Sequence, residues 1–145
     1  LIHNNPNVEG TAELYCTSDV WHYVSSPLND LTESGVFEGF YLRPFVEPND
    51  AWGDWIVALD DNMVTMRGYE AWIYDNNTTV NFEGLLNAGT QNIDVTNSGT
   101  TFSPGWNLVG NPYSSALDWD SSTVFEKYTI QAVISFDLCA VFSAL

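Results

Sequence analysis

Residues 21–27 read WHYVSSP and residues 106–112 read WNLVGNP. Both stretches follow the pattern W-x-[YL]-V-x-x-P, in which side chains alternate between two sides until a proline ends the run. A period of two indicates a β-strand, because successive side chains of a strand point to opposite faces of the sheet. We therefore expect each stretch to form a strand that opens one half of a pseudo-repeated fold.

The rest of the chain has the same character. Short runs rich in β-branched and aromatic residues are separated by Gly, Pro, Asn and Asp, which is typical of an antiparallel sandwich or barrel. Apolar residues are nowhere sustained at helical spacing next to a cap, so little or no helix is expected beyond one short turn at 121–125. The predicted strands are 13–16, 20–25, 39–45, 54–59, 71–75, 79–83, 91–96, 106–110 and 130–136. The predicted turns are 48–50, 60–62, 75–77 and 97–99.

These patterns predict an all-β fold, an antiparallel, jelly-roll-like β-sandwich. With 145 residues, the chain is long enough for a single domain over 1–145. Its first half is expected at about 13–97 and its second half at about 105–145. The second half is expected to be incomplete and the chain to be a piece of a longer precursor. Cys16 and Cys139 are either bridged or free buried thiols, and the sequence leaves both alternatives open.

Charge excludes two classes of partner. The chain has three Lys and Arg against nineteen Asp and Glu, which gives a formal net charge of −16. Nucleic acid and anionic membrane surfaces are poor partners for such a chain, because both require clustered cations. No apolar run approaches the length of a bilayer span, so no membrane insertion is expected.

The run GWNLVGNPY at 105–113, followed by ALDWD at 116–120, resembles a known bacterial module. Together with weaker likenesses at 21–27, 68–74 and 82–89, it is similar to the β-rich module of secreted and cell-surface Bacteroidetes-type proteins, which often precedes a type IX secretion sorting domain. The resemblance covers about residues 1–120. It implies a β-sandwich and a secreted or cell-surface location, in proteins whose roles include adhesion and polymer handling. It implies no catalytic residues.

Catalytic patterns are weak. A G-x-S-x-G nucleophile motif is missing from the sequence, and only His3 and His22 offer imidazole bases. Carboxylate pairs are abundant, but nineteen acidic residues generate such pairs by chance. We therefore expect a non-enzymatic protein, with a glycosidase as the least favoured alternative.

A Trp-bearing acidic hairpin is the candidate ligand site. Aromatic faces beside polar groups suit carbohydrate, although packing within the hairpin or the core is the competing interpretation. Three other tryptophans, Trp21, Trp72 and Trp106, are assigned to the core. The predicted ligand-binding residues are Trp52, Asp54 and Trp55 in this hairpin. Trp119, which lies between Asp118 and Asp120, is a further predicted ligand-binding residue.

Calcium is a second hypothesis for the acidic loops, and no other cofactor is expected. Clustered oxygen ligands on loops suit Ca²⁺, but the spacing of an EF-hand is lacking and solvated turns are the competing interpretation. The candidate calcium ligands are Asn49, Asp50, Asp60 and Asp61.

The apolar stretch 130–145 would promote aggregation at an open sheet edge, so it is expected to be buried or paired. Pairing with a neighbouring copy would assemble subunits by strand addition, and a final core strand of a closed monomer is the alternative. The candidate assembly residues are Ile130, Val133, Ile134, Phe136, Val141 and Phe142.

Two functions follow as expectations. The first is a non-enzymatic extracellular or cell-surface module for adhesion or carbohydrate binding, whose partner is a polysaccharide or surface glycan. The second is a structural subunit of an extracellular fibre or surface layer, which assembles with copies of itself by edge-strand pairing.

Overall fold

The computed structural model describes residues 4–29, 34–47, 51–52, 62–97, 105, 107–115 and 140–143. Within these ranges the secondary structure is almost entirely β, and the one helical element there is a 3-10 turn at Ser34–Phe37. All pairings between the described strands are antiparallel, so the all-β prediction is confirmed. The strands are β1 (Glu9–Cys16), β2 (Val20–Val24), β3 (Tyr41–Val46), β4 (Ala51–Trp52), β5 (Tyr69–Ile73), β6 (Thr78–Leu85), β7 (Asn107–Gly110) and β8 (Ala140–Ser143).

These strands form three groups. β1 pairs with β6 over eight residue pairs, from Glu9 opposite Leu85 to Cys16 opposite Thr78. The largest sheet has the order β2-β5-β3-β4, and β7 pairs with β8. Since β2 and β3 both pair with β5, the centre of the largest sheet is β5.

One hydrophobic cluster joins the β1–β6 pair to the largest sheet. Strand alternation creates it, because every second side chain of β1 is buried while its neighbours are exposed. Phe37 of the 3-10 turn packs edge-to-face on Phe82 of β6, with ring centroids 6.0 Å apart. Sandwich and jelly-roll topology for the whole chain stay predictions. The cluster consists of Ala12, Leu14, Cys16, Val24, Leu28, Phe37, Leu42, Met63, Tyr69, Ala71, Ile73, Val80 and Phe82.

The two sequence echoes meet in space where their strands end. Asn87, which is buried, donates its backbone N–H to the carbonyl of Pro27 at 2.9 Å and its side-chain amide to the carbonyl of Pro112 at 2.7 Å. The Ser25 hydroxyl donates to the carbonyl of Asn111 at 2.9 Å. A Cβ at Gly110 would overlap the Ser25 side chain, so this close approach requires glycine. Equivalent positions of the two echoes are thus bonded through one asparagine.

Some expected strands differ from the structure. Residues 91–96 are predicted as a strand and do not form one. At the end of this segment the backbone of Thr96 bonds to the side chain of Asn107, accepting at 2.8 Å and donating at 3.2 Å. At Thr96, the Asn107 side-chain amide makes the two backbone hydrogen bonds that a neighbouring strand would make. The turn at 75–77 is confirmed, with Asp75 at a φ of 70°. The remaining expected strands and turns that lie wholly or partly outside the described residues are 54–59, 130–136, 48–50, 60–62 and 97–99, together with the helical turn at 121–125.

Candidate functional site

Most of the sequence-predicted site residues fall outside the described residues. Trp52 lies in β4 at one edge of the largest sheet, where its backbone pairs with that of Phe45. Val141 and Phe142 lie in β8, and their backbone partners are Val109 and Leu108 of the same chain. Outside the described residues are Asp54, Trp55, Trp119, Asn49, Asp50, Asp60, Asp61, Ile130, Val133, Ile134 and Phe136, whose roles stay predictions.

The assignment of Trp21 to the core is wrong. Its side chain is 44% exposed, whereas Ala71 and Ile73 on the neighbouring strand are fully buried. Antiparallel register explains the difference, because Trp21 pairs with Trp72 and therefore lies on the sheet face opposite that of Ala71 and Ile73. Trp72 is half-buried on this outer face, so its assignment to the core is wrong as well, and Trp106 lies outside the described residues.

Aromatic side chains continue across this face on three adjacent strands. Trp72 pairs with Trp21 on one side and with Tyr41 on the other, so the three residues form one row across β2, β5 and β3. Tyr74 follows Trp72 at the next outward position and packs on Tyr41, with ring centroids 5.9 Å apart. We call Trp21, Tyr41, Trp72 and Tyr74 the outer aromatic face.

The outer aromatic face is exposed to solvent, and two of its rings are inclined to each other. Tyr41 is 52% exposed and Tyr74 is 37% exposed. The rings of Trp21 and Trp72 meet edge-to-face, with centroids 5.0 Å apart and planes inclined by 61°. Inclined rings present both faces and edges to a ligand.

A polar row lies beside the aromatic one. Glu70 of β5 pairs with Tyr23 of β2 and with Arg43 of β3, so all three lie on the same outer side. Arg43 donates from Nε to Oε1 of Glu70, and its guanidinium carbon lies 5.5 Å from the ring centroid of Trp21. The Arg43 side chain therefore reaches across β5 to stack on the far strand.

Burial controls the titration of this row. The Glu70 side chain is only 6% exposed, and this desolvation raises its pKa, although the hydrogen bond and charge of Arg43 lower it in part. The pKa of Tyr23 is raised by its own burial and by the nearby charge of Glu70. Glu70 is therefore the more buried partner of the ion pair, while 25% of the Arg43 side chain remains exposed.

Other reactive groups do not form a site in the described part of the chain. Those residues hold no cluster of three His, Cys, Asp or Glu side chains that would bind a metal. Nε2 of His22 lies 2.9 Å from the carbonyl oxygen of Thr17. Cys16 is a free thiol with no exposed surface, and burial raises its pKa to about 11. The free-thiol alternative therefore holds for Cys16, while Cys139 lies outside the described residues.

The outer aromatic face was not predicted, although the sequence of β5 carries a signal for it. Outward residues alternate with inward ones in YEAWI at 69–73, where Glu70 and Trp72 share one parity and Tyr69, Ala71 and Ile73 share the other. The prediction was wrong because the tryptophans were assigned to the core as large aromatic residues. The single Glu on the Trp72 side was the signal that this side faces outward.

Comparisons of the chain with protein-family models, with curated proteins and with solved structures find no match. Among the described residues there is no helix of the length and apolarity that crossing a bilayer needs. Function is therefore inferred from the outer aromatic face, its ion pair and the charge of the chain.

Proposed function

We propose that this chain is a non-enzymatic extracellular or cell-surface module that binds a polysaccharide or surface glycan through the outer aromatic face. The observation that carries the proposal is the row Trp21–Trp72–Tyr41, in which aromatic side chains from three paired strands lie together and two of them are about half exposed. Exposed apolar clusters of this kind mark binding surfaces.

Chemistry favours a sugar as the ligand. Pyranose rings combine an apolar C–H face with a rim of hydroxyl groups, and aromatic rings bury the first while tyrosine hydroxyls hydrogen-bond the second. The Tyr74 hydroxyl, whose proton is donated to the carbonyl of Gly39, can still accept a hydrogen bond from a sugar hydroxyl at the edge of the face. The net charge of −16 disfavours nucleic acid, the other common ligand of exposed aromatic rows on a sheet.

Rigidity also supports the proposal. The contributing residues lie on or directly beside paired strands whose other face is packed into the hydrophobic cluster. Tyr74 donates its hydroxyl to the carbonyl of Gly39 and packs edge-to-face on Phe40, with ring centroids 5.6 Å apart. A preorganised surface binds with less loss of side-chain entropy than a mobile loop.

Two surface variants test the site. We expect Trp21→Ala and Tyr41→Ala to weaken glycan binding by about 5- to 30-fold each, which corresponds to about 1–2 kcal/mol for a ligand-contacting aromatic. Affinity electrophoresis in polysaccharide-containing gels measures the loss, and quenching of tryptophan fluorescence by the same glycan checks it in solution.

Tyr15→Ala is the matched control. Tyr15 is 63% exposed on β1, outside the outer aromatic face, so its removal deletes an exposed aromatic of similar size without touching the proposed site. Equal losses in the control and the face variants, or wild-type binding by both face variants, would contradict the proposal.

A further inference from the structure

The charge on the outer aromatic face is balanced within the face itself. Arg43 is one of only three Lys and Arg residues in the chain, and its guanidinium lies against the Trp21 ring, within the proposed binding surface. Glu70 binds this guanidinium directly and is almost fully buried. The outer aromatic face therefore contains the cation of Arg43, stacked on Trp21, and the carboxylate of Glu70 offsets its charge.

The rest of the chain adds negative charge. With nineteen acidic residues against three basic ones, the surrounding field repels polyanions. A ligand with regularly spaced carboxylates or sulfates would need an uncompensated cation at the site, and Arg43 does not supply one while Glu70 is ionised beside it.

We propose that Glu70 is a specificity-determining residue that keeps the outer aromatic face selective for uncharged polysaccharides. This inference rests on the proposed glycan-binding function and deepens it. Glu70 acts through Arg43 and is a positioning residue, because it orients the guanidinium over Trp21 and removes its net charge. The Arg43–Glu70 ion pair disfavours acidic glycans because it leaves no net positive charge to attract them.

Matched polysaccharide pairs test ligand charge with little change of backbone. Hydroxyethyl cellulose and carboxymethyl cellulose form one pair, and highly methyl-esterified pectin and polygalacturonate form another, beside a broad array of neutral and acidic glycans. We expect the wild-type chain to bind uncharged members only, with Trp21→Ala weakening that binding and with no loss between 50 and roughly 500 mM NaCl, since salt screens only charged contacts.

Glu70→Gln tests the residue itself. Glutamine retains the shape and one acceptor for Arg43 but removes the negative charge of Glu70, so the face beside Arg43 becomes more positive. We expect weak binding to carboxymethyl cellulose or polygalacturonate to appear, at about two- to fivefold above the wild-type background signal, and to disappear at high salt. The readout is the ratio of acidic to uncharged glycan bound, which separates a change of selectivity from a general loss of affinity. Glu70→Asp keeps the charge and should keep the wild-type selectivity.

Each outcome is decisive. Wild-type binding of acidic glycans through Trp21 would overturn the inference and leave the proposed function standing, whereas a blank array would overturn both. Near-ultraviolet circular dichroism checks that the Glu70→Gln variant is folded. Unchanged selectivity in the folded variant would show that Glu70 does not determine which glycans bind. If that variant does not fold, the wild-type comparison of the matched pairs still supports or overturns the selectivity for uncharged glycans.

Discussion

Replacing Arg43 with methionine removes one partner of the ion pair while retaining much of the apolar stem. Glu70 then remains 6% exposed with its cation gone. Breaking a buried pair from one side costs about 3–5 kcal/mol, and the 25% exposure of Arg43 places this case at or below the lower end of that range. We expect the free energy of unfolding at pH 7.5 to fall by about 3 kcal/mol, and the Tm to fall by about 10 °C.

The loss should depend on pH in a defined direction. Burial raises the pKa of Glu70 above its ordinary value of 4.5, so the folded state binds the proton more tightly than the unfolded state does. The stability that comes from protonation is complete below pH 4.5 and is lost as the pH rises through the folded pKa. Arg43 lowers the pKa of Glu70 in part, so replacing Arg43 raises this pKa further. Arg43→Met should therefore be least destabilising near pH 4.5 and most destabilising at neutral pH.

Urea denaturation followed by tryptophan fluorescence at pH 4.5 and at pH 7.5 measures the effect. The double variant Arg43→Met/Glu70→Gln is the control, because it removes the buried charge and should recover most of the lost stability. A loss below about 0.5 kcal/mol at pH 7.5, in the range of ordinary surface substitutions, would refute the reasoning. A loss of equal size at both pH values, or no recovery in the double variant, would refute it as well.

Three further predictions concern the core and the junction of the two echoes. Gly110→Ala should destabilise the fold by about 1–3 kcal/mol in thermal unfolding, because the new Cβ overlaps Ser25, and Ser25→Gly in the same chain should restore most of that loss. Phe82→Ala should cost about 3–5 kcal/mol in chemical denaturation, since Phe82 is 1% exposed and packs on the 3-10 turn, and a cost below about 1 kcal/mol would place the residue outside the core. Cys16 should resist iodoacetamide at pH 8 in the folded chain and react fully in urea, because its thiol is buried and its pKa is raised to about 11, so rapid labelling of the native protein would contradict the structure.

Strand positions were largely predictable from the sequence. The expected strands at 20–25, 39–45, 79–83 and 106–110 overlap β2, β3, β6 and β7. Alternation of side chains and the residues of turns are local properties, so they can be recognised in the sequence without knowledge of the fold. The prediction at 91–96 is wrong, and the backbone of its last residue, Thr96, bonds to the side chain of Asn107 instead of to a neighbouring strand.

The candidate site was not predictable in the same way. Tryptophans near acidic residues drew attention to the loops, whereas the described aromatic cluster lies on the sheet. Strand pairing brings Trp21, Tyr41 and Trp72 into one row although they lie far apart in the sequence. Pairing partners are set by the whole chain, and no local pattern specifies them.

By itself, the sequence determined the β-class, the alternation within each strand, the turn at 75–77 and the acidic charge that disfavours nucleic acid. Only the tertiary structure decided which side of each strand is buried and that Arg43 of β3 meets Glu70 of β5 over the Trp21 ring of β2. The physical reason is that alternation divides a strand into two faces but assigns neither of them to the core. That assignment is made when Ala71 and Ile73 join the same hydrophobic cluster as the buried residues of β1 and β6, which leaves Trp72 on the outer side.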